Sequence, residues 1–251
     1  MTLLGPADVA PFRVINKAGR SLFLLIGDHA GNTVPVSLAR LGLSDADLAR
    51  HIAIDIGVSA LGARLADLLD ACFIEQRYSR LVVDCNRHTH AADCMAAVSD
   101  GTVVPGNAAI APADRAERLY AIYEPYHEAI RAALAARRDA GQRTVLVSLH
   151  SFTPSMGGVA RPWDVGVLHD RGDTSFAMRV LTALRAQGGL CVGENEPYQM
   201  DDTDYTVPHH AYANHLAYVE LEVSQRRMGD QSGVEQIAEI LAPVLEDALD
   251  V

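Results

Sequence analysis

No run of apolar residues in this sequence approaches the roughly 18 needed to cross a bilayer, so nothing in it reads as a membrane span. Met1 to Ala10 hold no basic segment followed by a hydrophobic stretch, and so do not read as an export signal. The four cysteines (Cys72, Cys85, Cys94 and Cys191) have no CxxC spacing, which excludes the common zinc-ribbon and dithiol motifs. Without an export signal they are expected as reduced thiols, and the expected location is cytoplasmic. Positive charge is scarce as well: 21 Lys and Arg stand against 32 Asp and Glu, a net charge of −11. That argues against nucleic acid or an anionic membrane surface as a partner. A GxSxG elbow, a phosphate-cradling glycine loop, internal repeats and low-complexity segments are all missing.

What is present is an ordinary globular composition, 49% hydrophobic over 251 residues, enough to bury a sizeable core. Length favours one α/β domain, 1–251. The most informative stretch is Ser21 to Asn32: a dry strand, Leu22 to Ile26, stops at Gly27 and hands over to Asp28 and His29. Thr144 to His150 repeats the pattern. Ligands in α/β folds collect beyond the carboxyl ends of strands, so two strands ending in His make one site if they are near neighbours.

Around these, short strands are expected at 12–15, 72–76, 81–83, 165–169 and 190–192. Helices are expected from Ser44, over 59–70, from Pro112 to a stop at Gly141 with a kink at Pro125, and over 174–187. Ser232-Gly-Val-Glu235 has the form of a capping box opening a last helix, 232–249. Residues 91–110 read as a loop, and 194–213, polar and without period, would suit a lid. Tyr218 to Val223 alternates, with Val219, Leu221 and Val223 on one face and Tyr218, Glu220 and Glu222 on the other. Strands alternating with helices give an α/β sandwich with a largely parallel or mixed sheet.

A catalytic zinc usually takes three protein ligands from His and Asp or Glu and leaves a position open. His29 and His150 supply two. The familiar His-x-x-Glu spacing puts Asn32, a poor ligand, where Glu would stand. Asp55, a charge set in the apolar run Ile52 to Gly57, is the first choice for the third ligand, with Asp28 second. Glu222 is the candidate general base; two carboxylates side by side in a dry site would push one pKa upward. A solvated outer face for that strand is the plainer alternative. Arg77, Arg80 and Arg87 bracket one segment, with Asn86 beside the last, and an arginine cluster on an acidic protein suggests an acidic small-molecule substrate. His88 and His90 read as a solvated pair rather than a second metal site.

These residues resemble the N-formylglutamate amidohydrolases, a branch of the zinc carboxypeptidase and aspartoacylase-like hydrolases. The resemblance runs from about 22 to 225. It is carried by Asp28-His-Ala-Gly-Asn32 with Pro35, Asp55-Ile-Gly57, Tyr78 to Arg87, His150 to Pro154, Arg161 to Leu168, Gly193 to Tyr198, Tyr205-Thr206 with His210, and Glu220 to Val223. It implies a three-layer α/β/α sandwich with a mixed central sheet, like the zinc carboxypeptidases. It also implies one Zn(2+) per chain and hydrolysis of an N-acyl amino acid. N-formyl-L-glutamate or a related N-formyl amino acid would give formate and the free amino acid, as in histidine degradation.

By the same resemblance His29, Asp55 and His150 are metal ligands, and Glu222 is the Glu that activates the attacking water. Asn86-Arg87 is the pair that grips the substrate carboxylate, and Arg80, Asn195, Tyr198, Tyr205 and His210 line the substrate pocket. Two departures stand out. Val223-Ser224-Gln225 replaces a frequent Ile-Arg-Gln, and Asn214-His215 replaces a frequent Arg-Gly. Both remove cationic side chains, and so bear on whether a second carboxylate is recognised. The rival readings are a zinc peptidase or deacylase for another N-acyl group, and a metal-dependent small-acid sensor without catalysis. Glu222 argues against the sensor.

Overall fold

The computed structural model describes residues 2–249, so the outermost limits of the expected 1–251 domain lie outside the described residues. Its strands are β1 (Phe12–Ile15), β2 (Phe23–Gly27), β3 (Cys72–Gln76), β4 (Val98–Ser99), β5 (Thr102–Val103), β6 (Val145–Phe152), β7 (Ser155–Met156), β8 (Val159–Ala160), β9 (Val165–Leu168), β10 (Val192–Glu194) and β11 (Ala217–Ser224). The helices are α1 (Asp45–Leu48), α2 (Val58–Leu68), α3 (Pro112–Arg118), α4 (Glu124–Asp139), α5 (Ser175–Gln187), α6 (Thr206–His210) and α7 (Gln231–Asp247).

Seven strands form one sheet in the order β1-β3-β2-β6-β11-β9-β10. Its centre, β3, β2, β6 and β11, is parallel, while β1 on β3 and β9 on β11 are antiparallel. The sheet is therefore mixed, as expected. Alternation along each strand divides the apolar residues between two cores. Phe23 and Leu25 of β2, with Val219, Leu221 and Val223 of β11, pack under α2, α5 and α7. Leu24, Ile26 and Tyr218 face the other way, toward Ile122, Tyr126, Ile130 and Leu134 of the α3–α4 segment. Helices on both faces make the three layers.

Tyr218, Glu220 and Glu222 share the second face, so the carboxylates of β11 point to the α4 side of the sheet rather than to solvent; both are buried. The plainer alternative for this strand does not hold.

Four expectations shift. Leu81–Val83 is not a strand but a buried turn, because its carbonyls are satisfied by side chains: Asn107 Nδ2 donates to Leu81 O and Arg118 Nη1 to Val82 O. No ladder is needed where buried carbonyls already have donors. The short strand expected at 190–192 begins later, at Val192, and pairs with β9. The last helix is capped by Asp230, whose carboxylate accepts from Gly233 N at 2.9 Å, so Ser232 lies inside the first turn. The long helix from Pro112 widens into a π-helical turn, Leu119–Tyr123, directly before Pro125. Proline has no N–H to offer, and the wider turn absorbs the missing bond.

Candidate metal centre

Gly27 ends β2, and the chain turns at Asp28 and His29, both buried. Strand β6 lies beside β2 in parallel register and carries Ser148 and His150 on the face toward the second core. Asp55 comes from a separate turn. Its backbone N–H donates to His29 O at 2.9 Å, and Gly57 follows at φ +88° to cap α2, a conformation few L side chains adopt. That turn swings the Asp55 carboxylate between the two imidazoles.

His29 Nδ1 lies 3.4 Å and His150 Nδ1 3.0 Å from Asp55 Oδ2. One ligand atom from each residue falls within 4.8 Å of the others. Zinc–ligand bonds of about 2.0–2.2 Å put neighbouring ligand atoms of a tetrahedron roughly 3.3 Å apart, so the spacing suits an ion of that size. His29 Nδ1 is buried with no hydrogen-bond partner among the described residues. An orphaned buried nitrogen beside a carboxylate, in an N, N, O donor set, fits a divalent cation of the zinc type. Asn32 takes no part: its amide donates to Leu48 O at 3.0 Å.

Each imidazole is held from behind through its other nitrogen. His29 Nε2 meets Asp84 Oδ1 at 2.8 Å. His150 Nε2 meets Ser148 Oγ at 3.2 Å, with Asp28 Oδ2 at 3.6 Å and Glu220 Oε2 at 4.0 Å. Tyr126 of α4 donates to Asp28 Oδ1 at 2.7 Å. Such outer partners fix tautomer and ring direction. Arg80 closes the network, donating through Nη1 to Asp55 Oδ1 at 3.2 Å and through Nη2 to Asp84 Oδ2 at 2.9 Å.

The electrostatics follow from this packing. Burial alone would raise the pKa of Asp55 and Asp84, but the imidazoles and Arg80 outweigh it and hold both carboxyls below the usual range. Burial and the Arg80 charge depress His29, yet Asp84 and Asp55 more than offset them, so its pKa rises. Burial likewise opposes the His150 charge, and Glu220, Asp28 and Asp55 together lift it well above the normal value. Burial pushes Glu220 and Glu222 up to about 8, His150 pulling the other way.

The cluster lies in the floor of a cavity of about 660 Å³. His29, Asp55, His150, Arg80, Asn86, Arg87, Tyr198 and Glu222 all reach its wall. The two Asn86-Arg87 side chains are already engaged, however. Asn86 Oδ1 accepts from Tyr205 N and Thr206 N, and its Nδ2 donates to Asp204 Oδ1. Arg87 Nε donates to Asp93 at 2.9 Å. Asn86 thus fastens the 194–213 segment against the site, which makes that expected lid a tied wall.

Asn195, Tyr205 and His210, expected in the pocket, do not line it. Asn195 Oδ1 accepts from His169 N at 2.8 Å. Tyr205 stacks on His209 with ring centres 4.7 Å apart. His210 stacks on His127, nitrogen to nitrogen at 3.0 Å. Burial next to His127 and His209 drives the His210 pKa down to about 2, so it serves as a neutral core group. His88 and His90 have ring centres 5.4 Å apart and belong to no metal-sized cluster among the described residues.

Three site residues were not assigned from sequence. Asp84 carried a signal, a charge ending the apolar run Leu81 to Val83. Asp204, in the wall, and Tyr126, on the α4 stripe, carried none, because only the fold aims them at the site.

No curated protein matches the chain. Among solved structures, gene product Atu2144 from Agrobacterium tumefaciens is similar at 32% identity and TM-score 0.95, covering 98% of this chain and 97% of that one. N-formylglutamate amidohydrolase from Ralstonia eutropha JMP134 is similar in fold, at 17% identity and TM-score 0.61 over 96% of this chain and 97% of that one. The family model for N-formylglutamate amidohydrolase matches residues 21–228, and this chain belongs to that hydrolase family.

Proposed function

We propose that the protein is a metal-dependent amidohydrolase that cleaves the amide of an N-formyl amino acid to formate and the free amino acid, with the metal, zinc, held by His29, Asp55 and His150. The observation that carries this reading is the convergence of His29 Nδ1 and His150 Nδ1 on Asp55 Oδ2, at 3.4 and 3.0 Å, beside a buried Glu222 Oε2 that has no hydrogen-bond partner among the described residues. Family membership supports it, since N-formyl-L-glutamate is the substrate in the family's name.

A bound zinc ion supplies Lewis acidity, polarising a carbonyl and easing the ionisation of water. The chain's own residues do the rest. Glu222 is paired in register with His150 across β11 and β6, so its carboxylate stands next to the ligand cluster. Burial makes it a stronger base than a surface glutamate. It takes a proton from the attacking water as the oxygen bonds to the acyl carbon. It then delivers that proton to the amine nitrogen as the C–N bond breaks. Arg87, engaged through Nε and Nη1 but not through Nη2 among the described residues, holds the α-carboxylate of the substrate, which presents the amide to the cluster. Arg80, clamped by Asp55 and Asp84, keeps the acids of the floor charged and in place.

The test is release of the free amino acid by the zinc-reconstituted protein from a panel of N-formyl, N-acetyl and N-succinyl amino acids. Turnover confined to the N-formyl compounds is expected. Turnover of another acyl group alone would move the assignment to a different deacylase, and protein that never holds stoichiometric zinc would remove the metal from the scheme.

A further inference from the structure

Asn86 and Arg87, the pair that the family resemblance gives to the substrate carboxylate, already hold a carboxylate of this chain. Asp204 Oδ1 accepts from Asn86 Nδ2 at 3.2 Å and from Arg87 Nη1 at 3.5 Å. One oxygen thus takes a donor from each member of the pair. All three residues line the cavity, and the Asp204 side chain is only 14% exposed. Arg87 Nε is engaged by Asp93 at 2.9 Å, which leaves Nη2 without a partner among the described residues. A carboxylate arriving from solvent can reach Nη2 at once, but with one oxygen. The two-oxygen grip of the guanidinium, and the amide of Asn86, become available only when Asp204 leaves.

The chain around Asp204 allows it to leave while the wall stays. The next two residues are fixed by the same asparagine, whose Oδ1 accepts from Tyr205 N at 3.0 Å and Thr206 N at 2.9 Å. Met200, on the other side, is buried. Between these anchors Asp201, Asp202 and Thr203 are exposed. Asp204 itself closes their turn: its Oδ2 accepts from Asp201 N at 3.1 Å, and its N–H donates to Asp201 O at 3.2 Å. The tie from Asp202 to Arg171 joins two exposed side chains and holds the turn only weakly. Withdrawal of the Asp204 carboxylate therefore loosens this turn and not the wall.

Nor is that carboxylate fully compensated where it stands. Burial raises its pKa even with the Arg87 charge beside it. An incoming carboxylate that takes over both donors returns Asp204 to water and leaves the charge of the recess unchanged. A ligand without a carboxylate offers no such exchange, since displacing Asp204 would leave a largely buried arginine short of its acceptor.

We propose that Asp204 is a built-in stand-in for the substrate's α-carboxylate. It occupies the Asn86–Arg87 grip in the free protein and is exchanged for the α-carboxylate on binding. It is a positioning residue that sets the affinity of the grip and its demand for a carboxylate. The inference rests on the function proposed above only in that this pair receives the α-carboxylate of an amino acid.

The experiment measures calorimetric binding of free L-glutamate to the zinc-loaded parent, Asp204→Asn and Asp93→Asn. Asp204→Asn keeps the shape and an acceptor for the Asp201 N–H but removes the competing charge. Asp93→Asn removes an equal charge from Arg87 without emptying the grip. L-Glutamate is expected to bind roughly fivefold or more tighter to Asp204→Asn, and at most about twofold tighter to Asp93→Asn. Equal gains would reduce the effect to general charge and overturn the inference. Weaker binding by Asp204→Asn, or no binding by any of the three, overturns it as well.

A crystal structure of the parent with L-glutamate reads the exchange directly. The ligand carboxylate is expected on Asn86 Nδ2 and Arg87, with Asp204 turned out and Tyr205 and Thr206 still tied to Asn86. Asp204 remaining on the pair beside bound ligand overturns the inference. With N-formyl-L-glutamate as substrate, the gain in Asp204→Asn should fall on KM rather than on kcat, and a KM that does not fall counts against the exchange. If the parent turns over no N-formyl amino acid while L-glutamate still displaces Asp204, the amidohydrolase reading fails and the stand-in remains.

Discussion

His29 Nδ1 and His150 Nδ1 face one oxygen, Asp55 Oδ2, at 3.4 and 3.0 Å, from turns and strands that meet only in the folded chain. That oxygen is the hinge of the centre, since it also takes the Ser151 N–H at 3.2 Å. Replacing it removes a ligand and leaves Arg80 and two imidazoles short of a counter-charge. Breaking a buried pair in this way costs about 3–5 kcal/mol when one partner is deleted. Asp55→Asn, which keeps the shape, is therefore the variant to use. It should fold with a lowered Tm and retain almost no zinc after dialysis. Elemental analysis checks this, and full metal occupancy would take Asp55 out of the ligand set.

Asp84 acts one step further out. It holds His29 through Nε2 at 2.8 Å and is itself held by Arg80. Outer partners of this kind are typically worth 10–100-fold in metal affinity, roughly the loss expected for Asp84→Asn. Competition against a chelator of known affinity measures it. An unchanged affinity would mean that His29 is oriented by something other than Asp84.

Glu222→Gln keeps the volume and removes the base. Zinc content should be unchanged while kcat falls by roughly 10²–10⁴-fold, the usual worth of a general base. KM should move little, because Glu222 is not asked to bind the α-carboxylate. Turnover near the parent value would assign the proton transfer to another group, and Glu220 is then the nearest alternative on the strand.

The parts of this site legible in the sequence are those where a charge interrupts an apolar run. His29 after Leu22 to Ile26, His150 after Val145 to Leu149, and Asp55 beside Ile52 to Ile54 are all of this kind, because a dry strand or turn tolerates a polar group only where the fold gives it a partner. Alternation put Glu220 and Glu222 together but not on the inner face, since a period of two says which residues share a side and nothing about what covers it. The turn at Leu81–Val83 was illegible for another reason. Its carbonyl donors, Asn107 and Arg118, lie 26 and 36 residues away. The direction of His210 likewise depends on α6 packing against α4, a contact with no local signature.

The pH response of the metal-free protein follows from the same groups. Burial raises Glu220 and Glu222 to about 8, and the acids around His29 and His150 raise both imidazoles against the effect of burial. Each of these groups binds its proton more tightly folded than unfolded. Such a group stabilises the fold in full below its unfolded pKa, 4.5 for these carboxyls and 6.5 for the imidazoles. That stabilisation is lost as pH rises through the folded value. Asp28, Asp55 and Asp84 have lowered pKa values and work in the opposite sense, but only in acid, around and below the ordinary 3.8.

Between about pH 6 and pH 9 the raised groups therefore dominate, and the Tm of stripped protein should fall with rising pH. A metal ion takes the place of the imidazole protons, so its binding strengthens over the same range. The gap in Tm between zinc-loaded and stripped protein should widen steadily from about pH 6 upward, read by paired thermal scans at fixed ionic strength. A gap that stays constant would mean that metal and protons do not compete for His29 and His150, contrary to the geometry around Asp55.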